Sequence, residues 1–281
     1  MKLQKFEEQI FFATVRVFST GADGTASLGT VFLVQEAVTA DRSVILGISN
    51  KHVLIDPGRQ FVFDFTVADL TKHPVMPLLG ATKRIQGNAL NENAYFEHPD
   101  DGVDLACVNL SPLGEGGIFY KTLDLGAMSA TFEEDWLLPN RDVCFVGYPE
   151  GFYDEKYNLP ILRRGVAASI PKIDFNGKKQ FLIDAHVYQG SSGSPVFMIE
   201  GPFGGQVRFV GVLTAGVRRQ AKLTKLNFDK FGVEHTIGLG HVLKPQLVRE
   251  LVSVAVERIK KTLPVDPQPT VDAEAMARQS G

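Results

Sequence analysis

The segment Gly190-Ser191-Ser192-Gly193-Ser194-Pro195 is the most informative stretch of this sequence. Glycines on both sides of a serine let the backbone turn tightly, so that the serine hydroxyl and nearby amide N–H groups can face one carbonyl group. This combination is what acyl transfer requires. A flexible Gly/Ser loop is the alternative interpretation of the same segment.

A serine hydroxyl is a poor nucleophile at neutral pH, so it needs an imidazole to accept its proton and a carboxylate to orient that imidazole. His52 follows the strand-like run 44–48, and Asp104 stands where the apolar run 105–110 begins. The chain order His52, Asp104, Ser192 is one in which such triads occur. We therefore predict Ser192 as nucleophile, His52 as general base, Asp104 as orienting acid, and the backbone N–H groups of Gly190 and Ser192 as the oxyanion hole.

The pattern along the chain is that of an all-β protein. Short β-type runs are separated by Gly, Pro, Asn and Asp, which predicts about a dozen strands in a barrel or sandwich. Glycines and an acidic cluster interrupt this pattern between residues 114 and 135. A boundary there puts His52 and Asp104 before it and Ser192 after it, so we expect the site in a crevice between two halves.

The C-terminal region predicts one long helix. It begins at Pro245, a favoured first-turn residue, and its apolar positions form a stripe typical of core packing: Leu247, Val248, Leu251, Val252, Ala255 and Ile259. We place the helix at 245–262. The proline-rich residues 263–281 are expected to be a disordered tail.

Five ordered stretches carry a family resemblance: 49–53 around His52, 104–106 around Asp104, 184–193 leading into Ser192, 210–216 and 237–243. In these five stretches, taken in order, the chain is similar to the chymotrypsin-like, or trypsin-like, serine peptidases. The resemblance is nearest to their HtrA-type branch, and it spans residues from about 10 to 255 in order.

The resemblance implies two six-stranded antiparallel β-barrels, the chymotrypsin-like double barrel, followed by a C-terminal α-helix. Residues 1–125 would form the barrel with His52 and Asp104, and residues 126–244 the barrel with Ser192. The short C-terminal region implies that the PDZ domain of HtrA-type proteins is absent.

By the same resemblance, the pocket for the residue before the cleaved bond would be lined by His186, Thr214, Ala215 and Gly216. His186 could equally be a hydrogen-bonded wall residue. Since no acidic residue stands there, a trypsin-like preference for Lys or Arg is not expected.

Three positions depart from the family pattern. Ser191 stands where the blood and digestive members have an aspartate, so activation by N-terminal cleavage is not implied, and control by loop ordering or by substrate is expected instead. Ser194 replaces the more usual glycine beside the nucleophile. Val31 replaces a glycine near the general base.

Composition agrees with a globular enzyme: 281 residues, 44% hydrophobic, net charge −3. A net charge this close to zero disfavours nucleic acid and membranes as partners. The two cysteines, Cys107 and Cys144, lie in apolar runs, so we expect free thiols and a cytoplasmic location. No metal or other cofactor is expected, because the histidines lack ligand-like spacing. The oligomeric state stays open.

The predicted function is a serine endopeptidase that acts through an acyl-enzyme intermediate on polypeptide substrates. A catalytically silent peptide- or protein-binding module on the same fold is the main alternative, and an esterase with the same triad is another. The order Ser192, Asp229, His241 would suit an α/β-hydrolase, but that fold requires a glycine where Ser194 stands.

Overall fold

A computed structural model of the protein describes residues 3, 5–21, 24–54, 60–88, 94–111, 117–131, 134–199, 207–222 and 232–263. The predicted tail beyond residue 263 and the hydrolase candidate Asp229 lie outside the described residues. The helices are α1 (Phe6–Gln9), α2 (Lys51–Leu54), α3 (Leu125–Met128) and α4 (Pro245–Thr262). The strands are β1 (Thr14–Thr20), β2 (Ala26–Ala37), β3 (Ser43–Ser49), β4 (Gln60–Asp69), β5 (Met76–Asn88), β6 (Tyr95–Glu97), β7 (Ala106–Asn109), β8 (Ile118–Phe119), β9 (Asp142–Gly147), β10 (Ile161–Ala167), β11 (Gln180–Asp184), β12 (Pro195–Ile199), β13 (Val207–Lys222) and β14 (Gly232–Leu243).

The strands from β9 onward form one closed antiparallel barrel in the order β10-β11-β14-β13-β12-β9. Alternate side chains point inward and fill the barrel with a buried apolar cluster that includes Phe145, Phe181 and Leu213. This half matches the prediction of a six-stranded antiparallel barrel. It carries the Gly190–Ser194 turn between β11 and β12.

The first half differs from the prediction of a second closed six-stranded barrel. Its strands form an open antiparallel sheet of eight, in the order β5-β4-β1-β2-β3-β7-β6, with β8 paired to β4. Within the described residues β5 pairs only with β4, and β6 only with β7, so no ladder joins the two ends of the sheet. The three-residue β6 offers few backbone groups for such a ladder.

The C-terminal helix is confirmed at α4. Pro245 occupies its first turn, and Lys260 and Lys261 occupy its last turn, where cations stabilise the helix dipole. Its apolar stripe is buried in one cluster with Phe96, Leu105 and Cys107 of the first sheet. Burial of each large side chain contributes about 1.5–3 kcal/mol, so α4 ties the barrel half to the first sheet.

A charged cluster joins three strands of the first sheet. The buried Asp64 on β4 accepts hydrogen bonds from Arg16 Nη2 on β1 at 2.7 Å and from Arg84 Nε on β5 at 2.8 Å. Burial raises the pKa of Asp64, but the two arginines outweigh burial and hold the pKa below its ordinary value. Asp64 is therefore ionised in the folded protein.

Replacing Asp64 with asparagine should lower the free energy of unfolding at neutral pH by about 1–3 kcal/mol, because two arginines lose a charged acceptor. Because the pKa of Asp64 is lower in the folded protein than its ordinary value of 3.8, the charged carboxylate contributes its full stability at every pH above 3.8. This stability is lost as the pH falls through the lower pKa of the folded protein. The Tm difference from wild type should therefore shrink in acid. Asp142→Asn is the control, since its 2.9 Å pair with Arg164 is exposed on both sides. Equal Tm losses in both variants would contradict the prediction.

Candidate active site

His52 lies in α2, immediately after the end of β3. The next two residues, Val53 and Leu54, are buried and anchor this short helix, whereas the His52 side chain is exposed. The backbone carbonyl of His52 accepts a bond from Ser27 Oγ at 3.4 Å. The imidazole is thus held at the surface of the first sheet, facing the barrel half.

Asp104 lies in the loop before β7 and meets His52 through both carboxylate oxygens. Oδ2 is 2.7 Å from His52 Nδ1, and Oδ1 accepts the His52 backbone N–H at 3.1 Å. Asn50 Nδ2 donates to the Asp104 carbonyl at 2.8 Å and so fixes the backbone of the loop. An ionised carboxylate only accepts, so Nδ1 carries the proton and Nε2 is left as the basic nitrogen.

The ionised state of Asp104 follows from its partners. Partial burial raises its pKa, but hydrogen bonds from His52 and from Thr214 Oγ1, the latter at 2.7 Å, bring the pKa below its ordinary value. The carboxylate is therefore charged at neutral pH and stabilises an imidazolium at His52.

Ser192 lies on the opposite wall of the same cleft as His52. The cleft has a volume of about 420 Å³ and is lined by Ser27, Leu28, His52, Val187, Tyr188, Gln189, Gly190, Ser192, Thr214 and Gly216. Ser192 Oγ donates to the Thr214 carbonyl at 2.8 Å. No hydrogen bond joins it to His52 among the described residues.

The turn around Ser192 is shaped by two glycines. Gly190 has φ +85° and Gly193 has φ +86°, a region that side chains with a Cβ rarely adopt. The turn is held from the first sheet by Thr30, whose N–H donates to the Ser192 carbonyl at 2.9 Å and whose Oγ1 donates to the Gly190 carbonyl at 2.8 Å. The position of Ser192 therefore depends on both halves of the protein.

The Gly190 and Ser192 N–H groups, predicted for the oxyanion hole, differ from their neighbours in their hydrogen bonds. The Gln189 carbonyl accepts the Glu150 N–H, which turns the other edge of that peptide unit, the Gly190 N–H, to the opposite side. Within the described residues neither the Gly190 nor the Ser192 N–H donates to a backbone carbonyl. Both residues line the cleft.

The predicted specificity residues separate into two groups. Thr214 and Gly216 line the cleft, and Ala215 lies between them on β13, opposite His241 of β14. The exposed His186 stacks on Tyr188 with ring centroids 6.4 Å apart, and it is not among the described residues that line the cleft.

Sequence reasoning missed several supporting residues. Thr214 was expected only as a pocket wall, yet its hydroxyl also holds Asp104. Thr30 and Asn50 had no predicted role, because their partners are distant in the sequence and no local pattern marks them. The departures from the family pattern are accommodated by packing: Val31 is buried in the first-sheet core, and the buried Ser194 side chain faces Gly147.

A second cavity, of about 600 Å³, lies on the other side of Asp104 and Thr214. It is bounded by the loop 100–104, residues 177–180 and the start of α4, and His241 lines it. His241 is not among the described residues that line the Ser192 cleft.

The described residues contain no cluster of three or more His, Cys, Asp or Glu side chains that could hold a metal ion. No described helix has the length and apolar character needed to cross a membrane. Cys107 and Cys144 are free thiols, and burial raises the pKa of both.

Comparison with known proteins supports the fold. No family model and no curated protein sequence matches the chain. The chain is similar to the crystal structure of the protease Anisep from Arthrobacter nicotinovorans, with a TM-score of 0.50, 14% identity, and coverage of 89% of this chain and 97% of that one. It also matches a thermostable serine protease, AL20, from an extremophilic microorganism, with a TM-score of 0.45, 15% identity, and coverage of 90% and 99%.

The likeness to Anisep shows that the chain has the fold of a known protease across nearly its whole length. This agrees with the β-rich fold expected from the resemblance to chymotrypsin-like peptidases. At 14% identity the likeness concerns the fold and not the catalytic residues.

Proposed function

We propose that this protein is a serine endopeptidase that hydrolyses peptide bonds through a His52–Asp104–Ser192 triad and an acyl-enzyme intermediate. The observation that carries the proposal is the 2.7 Å contact between His52 Nδ1 and Asp104 Oδ2, at the edge of the cleft that Ser192 lines. The protease fold of Anisep supports it independently.

The reaction follows from the groups in the cleft. Ser192 Oγ attacks the carbonyl carbon of the peptide bond while His52 Nε2 takes its proton, and the carbonyl oxygen becomes an oxyanion held by the Gly190 and Ser192 N–H groups. His52 then gives the proton to the leaving amine as the C–N bond breaks. A water molecule, deprotonated by His52, hydrolyses the acyl-Ser192 ester and frees the carboxylic acid product.

The substrate class follows from the same cleft. The leaving amine must lie within reach of His52, next to Ser27 and Leu28, and the acyl part must lie on the side of Thr214 and Gly216. A cleft of about 420 Å³ lined by residues of both halves has room for part of a polypeptide chain. The two free thiols fit a reducing compartment, so the proposal includes a cytoplasmic location.

One observation favours the second candidate, a catalytically silent binding module. Ser192 Oγ donates to the Thr214 carbonyl at 2.8 Å and not to His52, so the nucleophile rests away from its base. If this bond persisted with a peptide bound, the cleft would bind without turnover. The contact between His52 Nδ1 and Asp104 Oδ2 is the arrangement that a general base requires, which favours the peptidase.

A fluorophosphonate probe tests the proposal, because it reacts covalently only with an activated serine. We expect labelling of the wild-type protein and none of Ser192→Ala. Ser191→Ala is the matched control: its hydroxyl is buried without a described partner, so the variant should still be labelled.

Absence of labelling in folded wild-type protein would favour the binding module. Labelling that persists in Ser192→Ala would exclude Ser192 as the nucleophile. Comparison of peptide and ester hydrolysis separates the peptidase from an esterase with the same triad.

A further inference from the structure

The loop that carries Asp104 is closed on itself by hydrogen bonds. The two ends of the loop are joined where the His98 N–H donates to the Leu105 carbonyl at 3.0 Å. Within the loop, the Asp100 N–H donates to His98 Nδ1 at 3.1 Å. Asp100 Oδ1 in turn accepts the Gly102 N–H at 2.8 Å. The conformation of residues 98–105 therefore depends on the imidazole of His98.

His98 is almost fully buried, with a side-chain exposure of 1%. Because Nδ1 accepts a backbone N–H, the neutral ring carries its proton on Nε2. Nε2 lies 3.2 Å from Glu250 Oε2, although the pair is not aligned as a full hydrogen bond. Among the described residues this buried nitrogen has no other partner.

Glu250 reaches His98 from α4, an element of the other half of the protein. Its second oxygen accepts from Lys179 Nζ at 3.1 Å, just before β11. The Glu250 side chain is half-exposed, whereas the His98 side chain is buried. Among the described residues, Glu250 Oε2 is the acceptor that lies near the His98 Nε2–H group. The contact therefore joins the loop 98–105 to both α4 and the barrel half.

Loss of the Glu250 carboxylate would leave the buried His98 N–H with no acceptor near it, which is unfavourable for a polar group shielded from water. The ring can relieve this cost by turning toward solvent, and it then releases the Asp100 N–H. The loop that ends in Asp104 would loosen. A displacement of about 1 Å in a catalytic group can cost 100-fold in rate.

We propose that Glu250 and His98 are positioning residues that keep the loop 98–105 in the conformation in which Asp104 contacts His52. They touch neither Ser192 nor the cleft, so they act through Asp104 alone. The claim about the loop is independent of the proposed peptidase function, whereas its kinetic consequence rests on that function.

The experiment compares Glu250→Ala and Glu250→Gln with Glu257→Ala as the matched control. Glu257 is on the same helix and makes an exposed pair with Lys260 at 3.1 Å. Hydrogen exchange of the segment 98–105, measured by mass spectrometry, reports the loop without any need for activity. Peptide hydrolysis gives kcat and KM separately.

We expect Glu250→Ala to exchange about tenfold faster in 98–105, with kcat reduced about tenfold and KM within a factor of two, as for a loss of positioning. Glu250→Gln keeps an acceptor oxygen and should restore both values to near wild type. Glu257→Ala should change neither.

Two results would overturn the inference: unchanged exchange in Glu250→Ala, or faster exchange with an unchanged kcat, which would make the contact merely structural. A wild-type protein without turnover would refute the peptidase function. In that case the exchange data alone would still decide whether Glu250 holds the loop.

Discussion

Replacement of Asp104 by asparagine should reduce kcat/KM for peptide hydrolysis by about 10⁴-fold while the protein stays folded. Both carboxylate oxygens act as acceptors: Oδ1 for the His52 N–H, and Oδ2 for His52 Nδ1 and Thr214 Oγ1. An amide in either orientation places an NH₂ group against one of these donors. With the NH₂ group at the Oδ2 position, the amide oxygen still accepts the His52 backbone N–H, and the imidazole must move its proton to Nε2 and lose its basic nitrogen toward Ser192.

The measurement is steady-state hydrolysis of a peptide, with the rate of fluorophosphonate labelling as a second readout. Asp101→Asn is the matched control, because this neighbouring carboxylate is exposed and does not line the cleft. Circular dichroism checks that both variants are folded. An Asp104→Asn protein with near wild-type kcat/KM would rule out Asp104 as the orienting acid.

Replacement of Gly193 by alanine should abolish measurable turnover and lower the Tm. At φ +86° an alanine is strained by about 1–2 kcal/mol. A Cβ at this position would also overlap the Thr30 carbonyl oxygen and Ser49 Oγ. Neither neighbour can move freely, because Ser49 Oγ donates to that carbonyl at 2.7 Å. The turn that presents Ser192 must therefore shift, and we expect at least about a 100-fold loss of labelling rate.

Gly117→Ala separates backbone strain from this overlap. Gly117 also has a positive φ, +66°, but a Cβ there would meet nothing within 4 Å. It should therefore lose stability from strain alone and keep its labelling rate. If Gly193→Ala behaved like Gly117→Ala, the inference that Thr30 leaves no room for a Cβ at position 193 would be contradicted.

Local sequence patterns predicted the parts of the fold whose causes are local. The stripe from Leu247 to Ile259 predicted α4, because helical periodicity alone determines which side chains share a face. Short β-type runs predicted a strand-rich barrel or sandwich, and the closed barrel of β9–β14 agrees with that. The two closed barrels were implied by the family resemblance, and the first sheet is open. Closure depends on ladders between strands far apart in the chain, and periodicity carries no information about those pairings.

The candidate site also has features that the sequence predicted and features that it did not. Residue types and order were enough to propose His52, Asp104 and Ser192. The structure places His52 in contact with Asp104 and puts His52 and Ser192 at one cleft; the roles assigned to the three residues stay predictions. The hydroxyl of Thr214 on Asp104 was not predictable, since the two residues are 110 positions apart. Thr30, which holds the nucleophile turn from the first sheet, likewise acts over 160 positions.

By itself, then, the sequence determined the chemistry available to this protein, because a serine between glycines, an imidazole and a carboxylate are properties of residue types and short turns. Tertiary structure alone decided how those groups are held: the ionised Asp104 between His52 and Thr214, the resting bond of Ser192 to the Thr214 carbonyl, and the reach of Glu250 to His98. The physical reason is that orientation, burial and hydrogen-bond partners are set by contacts between distant segments, which exist only once the sheet, the barrel and α4 have packed together.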